Sequence, residues 1–155
     1  MAIIHRATLS PSKPELLAAW LGGEVEVLGS FRYDDPAGEV GVEAFVVRVG
    51  GEVRHVPLAY RGAPVTYDGA VPVGTMEHSV LGARWVYDGT ADPVVQGCYA
   101  RALAGEQEQA VMELWDAGEM VGVVPGSVVV RREGEGDAAR LVATWDGGTL
   151  VVAGD

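Results

Sequence analysis

Glu77 and His78 stand side by side in GTMEHSVLGARWVYDG, residues 74 to 89, and Trp85, Tyr87 and Asp88 follow shortly after them. An imidazole has the intrinsic pKa of a general base near neutrality, and a carboxylate serves the same purpose when aimed at a bound substrate. Aromatic faces stack on the apolar faces of sugar rings while charged groups bond the hydroxyls. Arg61, Glu77, His78, Trp85, Tyr87 and Asp88 could therefore outline a saccharide pocket. The competing reading is structural. His78 would bond to backbone and fix a loop between Gly74 and Gly82, while Trp85 and Tyr87, on one face of a strand, would fill the core beneath a helix. As sequence neighbours, Glu77 and His78 point to opposite faces if their segment is extended, whereas a loop would let them converge.

Other chemistries find less support in the residue pattern. His5, His55 and His78 with Asp88 offer nitrogen and oxygen ligands of the type zinc accepts, but their spacings carry no metal-site signature, and no metal is expected. Ser79 adjoins His78 without a G-x-S-x-G elbow. Cys98, the single cysteine, has no partner for an internal disulfide and lies in an expected helix as a small buried hydrophobe rather than a nucleophile. A phosphoryl-transfer site needs a positioned Lys, a catalytic Asp and ligands for magnesium. Here Lys13 is the single lysine, asparagine is absent, and neither a Walker sequence nor a G-x-G-x-x-G loop occurs. No cofactor is expected.

The chain of 155 residues has the size of one domain, and its 48% hydrophobic content suffices for one core of packed layers. With 22 acidic against 11 basic residues and a formal net charge of -11, the surface repels phosphate backbones and anionic lipid headgroups, so nucleic-acid and membrane partners are not expected. The N-terminal residues lack the apolar run of a signal peptide or spanning helix, which leads to the expectation of a cytoplasmic protein.

The elements that would position these side chains follow from local pattern. Ser12 with Glu15 forms a capping box ahead of Leu16, Leu17, Trp20 and Leu21, and Gly22-Gly23 ends that helix. VEVLGSFRYDD, EVGVEAFVVRVG and EVRHVPLAYRG read as strands joined by short turns, hence as an antiparallel meander with the helix across one face. Residues 74 to 89 read as a glycine-bounded loop whose Ala83 to Tyr87 portion supplies a further strand. Asp92-Pro93 opens a helix over 93 to 104. The spacing of Leu103, Ala110, Val111, Leu114 and Trp115 predicts more helix over 106 to 117, with Gly118 as its cap. Two or three strands complete the chain, with no linker long enough for a second domain.

SPSKPELLAAWL, DDPAGEVGVE, VPLAYRGAP, GTMEHSVLGARWVYDG and ADPV together resemble the N-terminal cap domain of actinobacterial maltokinases, including freestanding cap-like proteins of similar length. The similarity covers residues 1 to 104 and is most specific from Gly74 to Asp92-Pro93. Maltokinases transfer a phosphoryl group from ATP to maltose, and their catalytic residues lie in a kinase-like body that follows the cap. The resemblance implies an α+β fold, a curved antiparallel sheet packed by helices in the cystatin-like arrangement of the cap; residues 105 to 155 fall outside it, and their helix and C-terminal β-hairpin strands rest on periodicity alone. It further implies a non-catalytic accessory or binding module of α-glucan or trehalose metabolism, whose partner is a carbohydrate-pathway enzyme or a saccharide. The alternatives are a small enzyme or small-molecule-binding protein with a cleft around Glu77, His78 and Asp88, and a homodimer paired through an exposed edge strand.

Overall fold

The computed structural model describes residues 2–5, 7–124 and 126–154, with the side chains of residues 2–5, 123 and 124 left aside. Its centre is a six-stranded antiparallel sheet. Helix α1 (Lys13–Leu21) precedes β3 (Val25–Asp34), β4 (Gly41–Val49) and β5 (Glu52–Arg61), which pair in sequence as a meander. Next come β6 (Pro72–His78) and β7 (Gly82–Asp88), and the sheet order is β2-β6-β7-β5-β4-β3, where β2 is Leu9–Ser10. Residues 72 to 78 are thus the first arm of a hairpin, with His78 facing Gly82 in register, and not a loop.

α1 forms as its sequence dictates. Ser12 accepts the Glu15 amide at 3.3 Å, Glu15 accepts the Ser12 amide at 3.0 Å, and Gly22 ends the helix at φ 78°. Leu16 and Leu17 then bury against Phe45, Val47, Leu58, Met76 and Val86, on one face of the sheet. Helix α2 (Pro93–Leu103) covers the other face, where Val95, Cys98 and Ala102 meet Phe31, Val42, Val46, Ala59 and Tyr87. A sheet covered on both sides needs apolar residues in both alternation phases, which is why Val42 to Val47 is buried almost without break and Glu43 stands out within it.

The chain after α2 departs from the helical expectation. Residues 112 to 116 form strand β8 (Met112–Asp116), paired antiparallel with β9 (Glu119–Val124) and parallel with β1 (Ala2–His5). The turn between β8 and β9 explains the difference. Ala117 at φ 52° and Gly118 at φ 81° make the two-residue connection of a hairpin, so Gly118 serves a turn and not a helix cap. The remaining strands, β10 (Val129–Glu133), β11 (Arg140–Trp145) and β12 (Gly148–Gly154), form a third, antiparallel sheet. Val128, Leu141 and Ala143 of this region enter the core on the α2 side. Contact is close there: a methyl on Gly29 would lie 2.6 Å from Val128 Cγ2. Among the described residues no helix is long and apolar enough to cross a membrane.

Candidate functional site

On the α1 face the strands gather a charged cluster. Glu43 stands opposite Arg32 on β3, Tyr60 lies two residues beyond its β5 neighbour Leu58, and the first residue of α1 brings Lys13 over all three. Glu43 is 4% exposed. Its Oε1 receives Lys13 Nζ at 2.8 Å, Arg32 Nη2 at 3.3 Å and a hydrogen bond donated by the Tyr60 hydroxyl at 2.8 Å. Both cations also lie over the Tyr60 ring, 5.6 and 5.9 Å from its centroid. Burial works against ionisation of Glu43, but the Arg32 and Lys13 charges and the bonds from Lys13 and Tyr60 outweigh it and hold the carboxyl below its ordinary value. The same burial, with Glu43 as neighbour, pushes the Tyr60 phenol well up. At neutral pH the cluster therefore holds an ionised carboxylate whose charge is already answered.

A cleft of about 450 Å³ opens beside this cluster, between the β3–β4 turn and the β6–β7 hairpin. Lys13, Arg32 and Tyr60 line its inner part. One rim is acidic, with Asp34, Asp35 and Glu39; the other carries His78 and Arg84. The acidic rim is held by its own turn. Burial raises the Asp35 pKa less than the amides of Ala37, Val40 and Glu39, all donating to its carboxylate, lower it, so it too stays below its ordinary value. On the opposite rim, His78 Nδ1 accepts the amides of Val80 at 3.0 Å and Leu81 at 2.9 Å, which shapes the hairpin turn. Arg84 donates to the Tyr60 carbonyl at 3.3 Å, and burial pushes its pKa down.

The residues singled out from sequence fall into separate places. His78 lines the cleft and is bonded to the backbone amides of Val80 and Leu81. Glu77 is exposed on the opposite face of β6, as neighbours on a strand must be. Asp88 shares the face of His78 but sits six residues along β7 from His78's register partner Gly82, about 20 Å away at the rise of a strand. It caps the short 3₁₀ turn Gly89–Ala91 through the Thr90 amide and hydroxyl. Arg61, Trp85 and Tyr87 come together across β5 and β7 on the α2 side. Tyr87 is buried and accepts the Val65 amide at 3.0 Å, and Trp85 packs against the same core. Arg61 forks onto Asp92, Nε to Oδ2 at 3.1 Å and Nη2 to Oδ1 at 3.0 Å, and the Tyr67 hydroxyl donates to Oδ2 at 2.9 Å. Asp92, fully enclosed, also caps α2 through the Val94 and Val95 amides. Tyr67 is pushed up to about 12 by burial and by this bond.

Sequence reasoning missed Lys13, Arg32, Glu43, Tyr60 and Arg84 as members of a site. The signal was present in part: Glu43 interrupts a run of apolar residues on a central strand, and the short β3–β4 connection sets the register that places Arg32 opposite it.

Residues 18–92 match the family model of the maltokinase N-terminal cap domain. No curated protein and no solved structure matches the chain. The matched span begins inside α1, takes in β3 to β7 and stops at Asp92, so it contains every cleft residue just described except Lys13 and Asp92's partner helix lies beyond it. Over residues 18–92 the chain is thus similar to the maltokinase N-terminal cap domain.

Proposed function

We propose that this protein is a non-catalytic, cap-like accessory module of α-glucan or trehalose metabolism, acting in the cytoplasm by binding a saccharide in the cleft beside Glu43, with the helix-on-sheet layout of α1 corresponding to the cystatin-like arrangement of the cap. The observation that carries this reading is the cleft itself, most of whose lining falls in the matched part of the chain and which is lined by Tyr33, Tyr60 and charged groups that bond hydroxyls. The buried carboxylate beside it, Glu43, is engaged by two cations and a phenol, an arrangement suited to holding shape and field rather than to taking a proton. A thermal-shift series with maltose, trehalose and glucose at millimolar concentration tests it, because a ligand of the folded state raises the melting temperature by mass action. The expected result is a saturable rise with at least one sugar that disappears in Glu39→Ala combined with His78→Ala. No rise with any sugar removes saccharide binding.

Protein contact is the second reading, and it has its own observation. Val80 and Leu81, at the tip of the β6–β7 hairpin beside the cleft, are 55% and 51% exposed. A carbohydrate-pathway enzyme seated on that tip would close the cleft rim, and a pull-down lost in Val80→Asp with Leu81→Asp is the expected outcome. A second copy of the chain in the same seat would instead appear as a dimer by light scattering.

A further inference from the structure

The charges around the cleft are answered unevenly. Glu43 has Lys13, Arg32 and Tyr60, and Asp35 has three backbone amides. Arg84, half-buried on the opposite rim, has one hydrogen bond, from Nη2 to the Tyr60 carbonyl, and among the described residues no carboxylate lies within 4.0 Å of it. A guanidinium carries five donors in a planar fork matched to carboxylate and phosphate, and Arg84, which lines the cleft, spends one of them on the described residues. Gly62 stands beside Nη1 without a side chain to cover it. A cation partly withdrawn from water and without a counter-ion gains more from a ligand anion than an exposed one does, since both charges then act at lower dielectric.

The acidic rim sets the second condition. Asp34, Asp35 and Glu39 accept hydrogen bonds and repel a small multivalent anion, so the favoured ligand presents an anionic group at one end and hydroxyls at the other. We propose that Arg84 binds the anionic group of an acidic saccharide, a sugar phosphate or a uronic acid, whose hydroxyls face Asp34, Asp35 and Glu39. This rests on the saccharide-binding reading and adds the charge of the ligand and the residue that selects it.

Isothermal titration of the whole chain at low ionic strength with glucose, glucose 6-phosphate, glucuronate and inorganic phosphate tests the assignment. The expected result is that one of the two acidic sugars binds at least about tenfold tighter than glucose, that Arg84→Gln removes this preference over glucose, and that Arg84→Lys restores part of it. Which acidic sugar prevails identifies phosphate or carboxylate as the recognised group. Equal binding of acidic and neutral sugars by the unaltered protein, or a preference that survives Arg84→Gln, overturns the assignment and leaves saccharide binding standing. Inorganic phosphate binding as tightly as the sugar phosphate also overturns it, because the hydroxyls then contribute nothing. No binding of any sugar removes this assignment together with the function it rests on. Unchanged circular dichroism and melting temperature of Arg84→Gln establish that a lost preference is not a lost fold.

Discussion

Lowering the pH from 7 to 5 should destabilise the protein through one side chain on the α2 face. His55 on β5 stacks on Phe31, with ring centroids 6.1 Å apart and planes 7° from parallel, and its Nε2 shares a 2.7 Å hydrogen bond with the Tyr99 hydroxyl. Burial lowers its pKa from 6.5 to about 4. The unfolded chain therefore binds the proton first as pH falls, so this contribution to stability is complete above the unfolded value and is lost on the way down to the folded one. At pH 5 an unfolded imidazole is almost fully protonated and the folded one about a tenth protonated. That difference amounts to roughly 2 kcal/mol against pH 7, rising to about 3 kcal/mol below pH 4. The interval from 7 to 5 lies above the ordinary range of Asp and Glu, which keeps their titration largely out of the measurement. Urea unfolding at the two pH values, on the unaltered chain and on His55→Gln, isolates the term: the variant should lose about 2 kcal/mol less between pH 7 and 5, equivalent to about 6 °C in melting temperature for a chain of this size. Equal losses in the two proteins would refute the reasoning, since His55 would then not be held neutral by the fold.

Three further outcomes rest on the packing described. Glu43→Gln should cost about 3 kcal/mol in urea unfolding, because Lys13 and Arg32 are left facing one another across Tyr60 without their carboxylate. Asp92→Ala should cost about 4 kcal/mol, since it strands the Arg61 fork, frees the Tyr67 hydroxyl and removes the α2 cap at once; Asp92→Asn, which retains an oxygen for the cap, should cost less in the same assay. Gly29→Ala should cost about 2 kcal/mol by driving a methyl into Val128, and Val128→Ala should recover part of that loss in a double-mutant cycle.

What could be read from the sequence follows the distance over which each element is decided. α1 and the β3–β5 meander were legible because a capping box and short turns act over a few residues. β6 was not, since PVGTMEH has neither clean alternation nor β-branched enrichment and is held by pairing with β2 and β7. The segment around Leu114 and Trp115 fits a helical stripe equally well, and pairing of β8 with β1 across more than a hundred residues decides it. The site shows the same division. His78, Trp85 and Tyr87 drew attention by type and proximity; Tyr87 is buried in the core, Trp85 packs against it, and His78 lines the cleft. Glu43, Arg32 and Lys13 meet only once the sheet is assembled and α1 is laid across it, so their joint role is a property of the register.

The C-terminal segment with the third sheet, lying wholly outside the matched span, helps to seal the α2 side of the central sheet with Val128, Leu141 and Ala143. The span from 18 to 92 is for that reason not a self-sufficient unit: cut free, it would present Phe31, Val42, Val46 and Ala59 to water and would be prone to aggregate. A polypeptide that shares this cap sheet but continues differently has to cover the same face with something else. The sheet is a socket, and the last strands of this chain are one way of filling it.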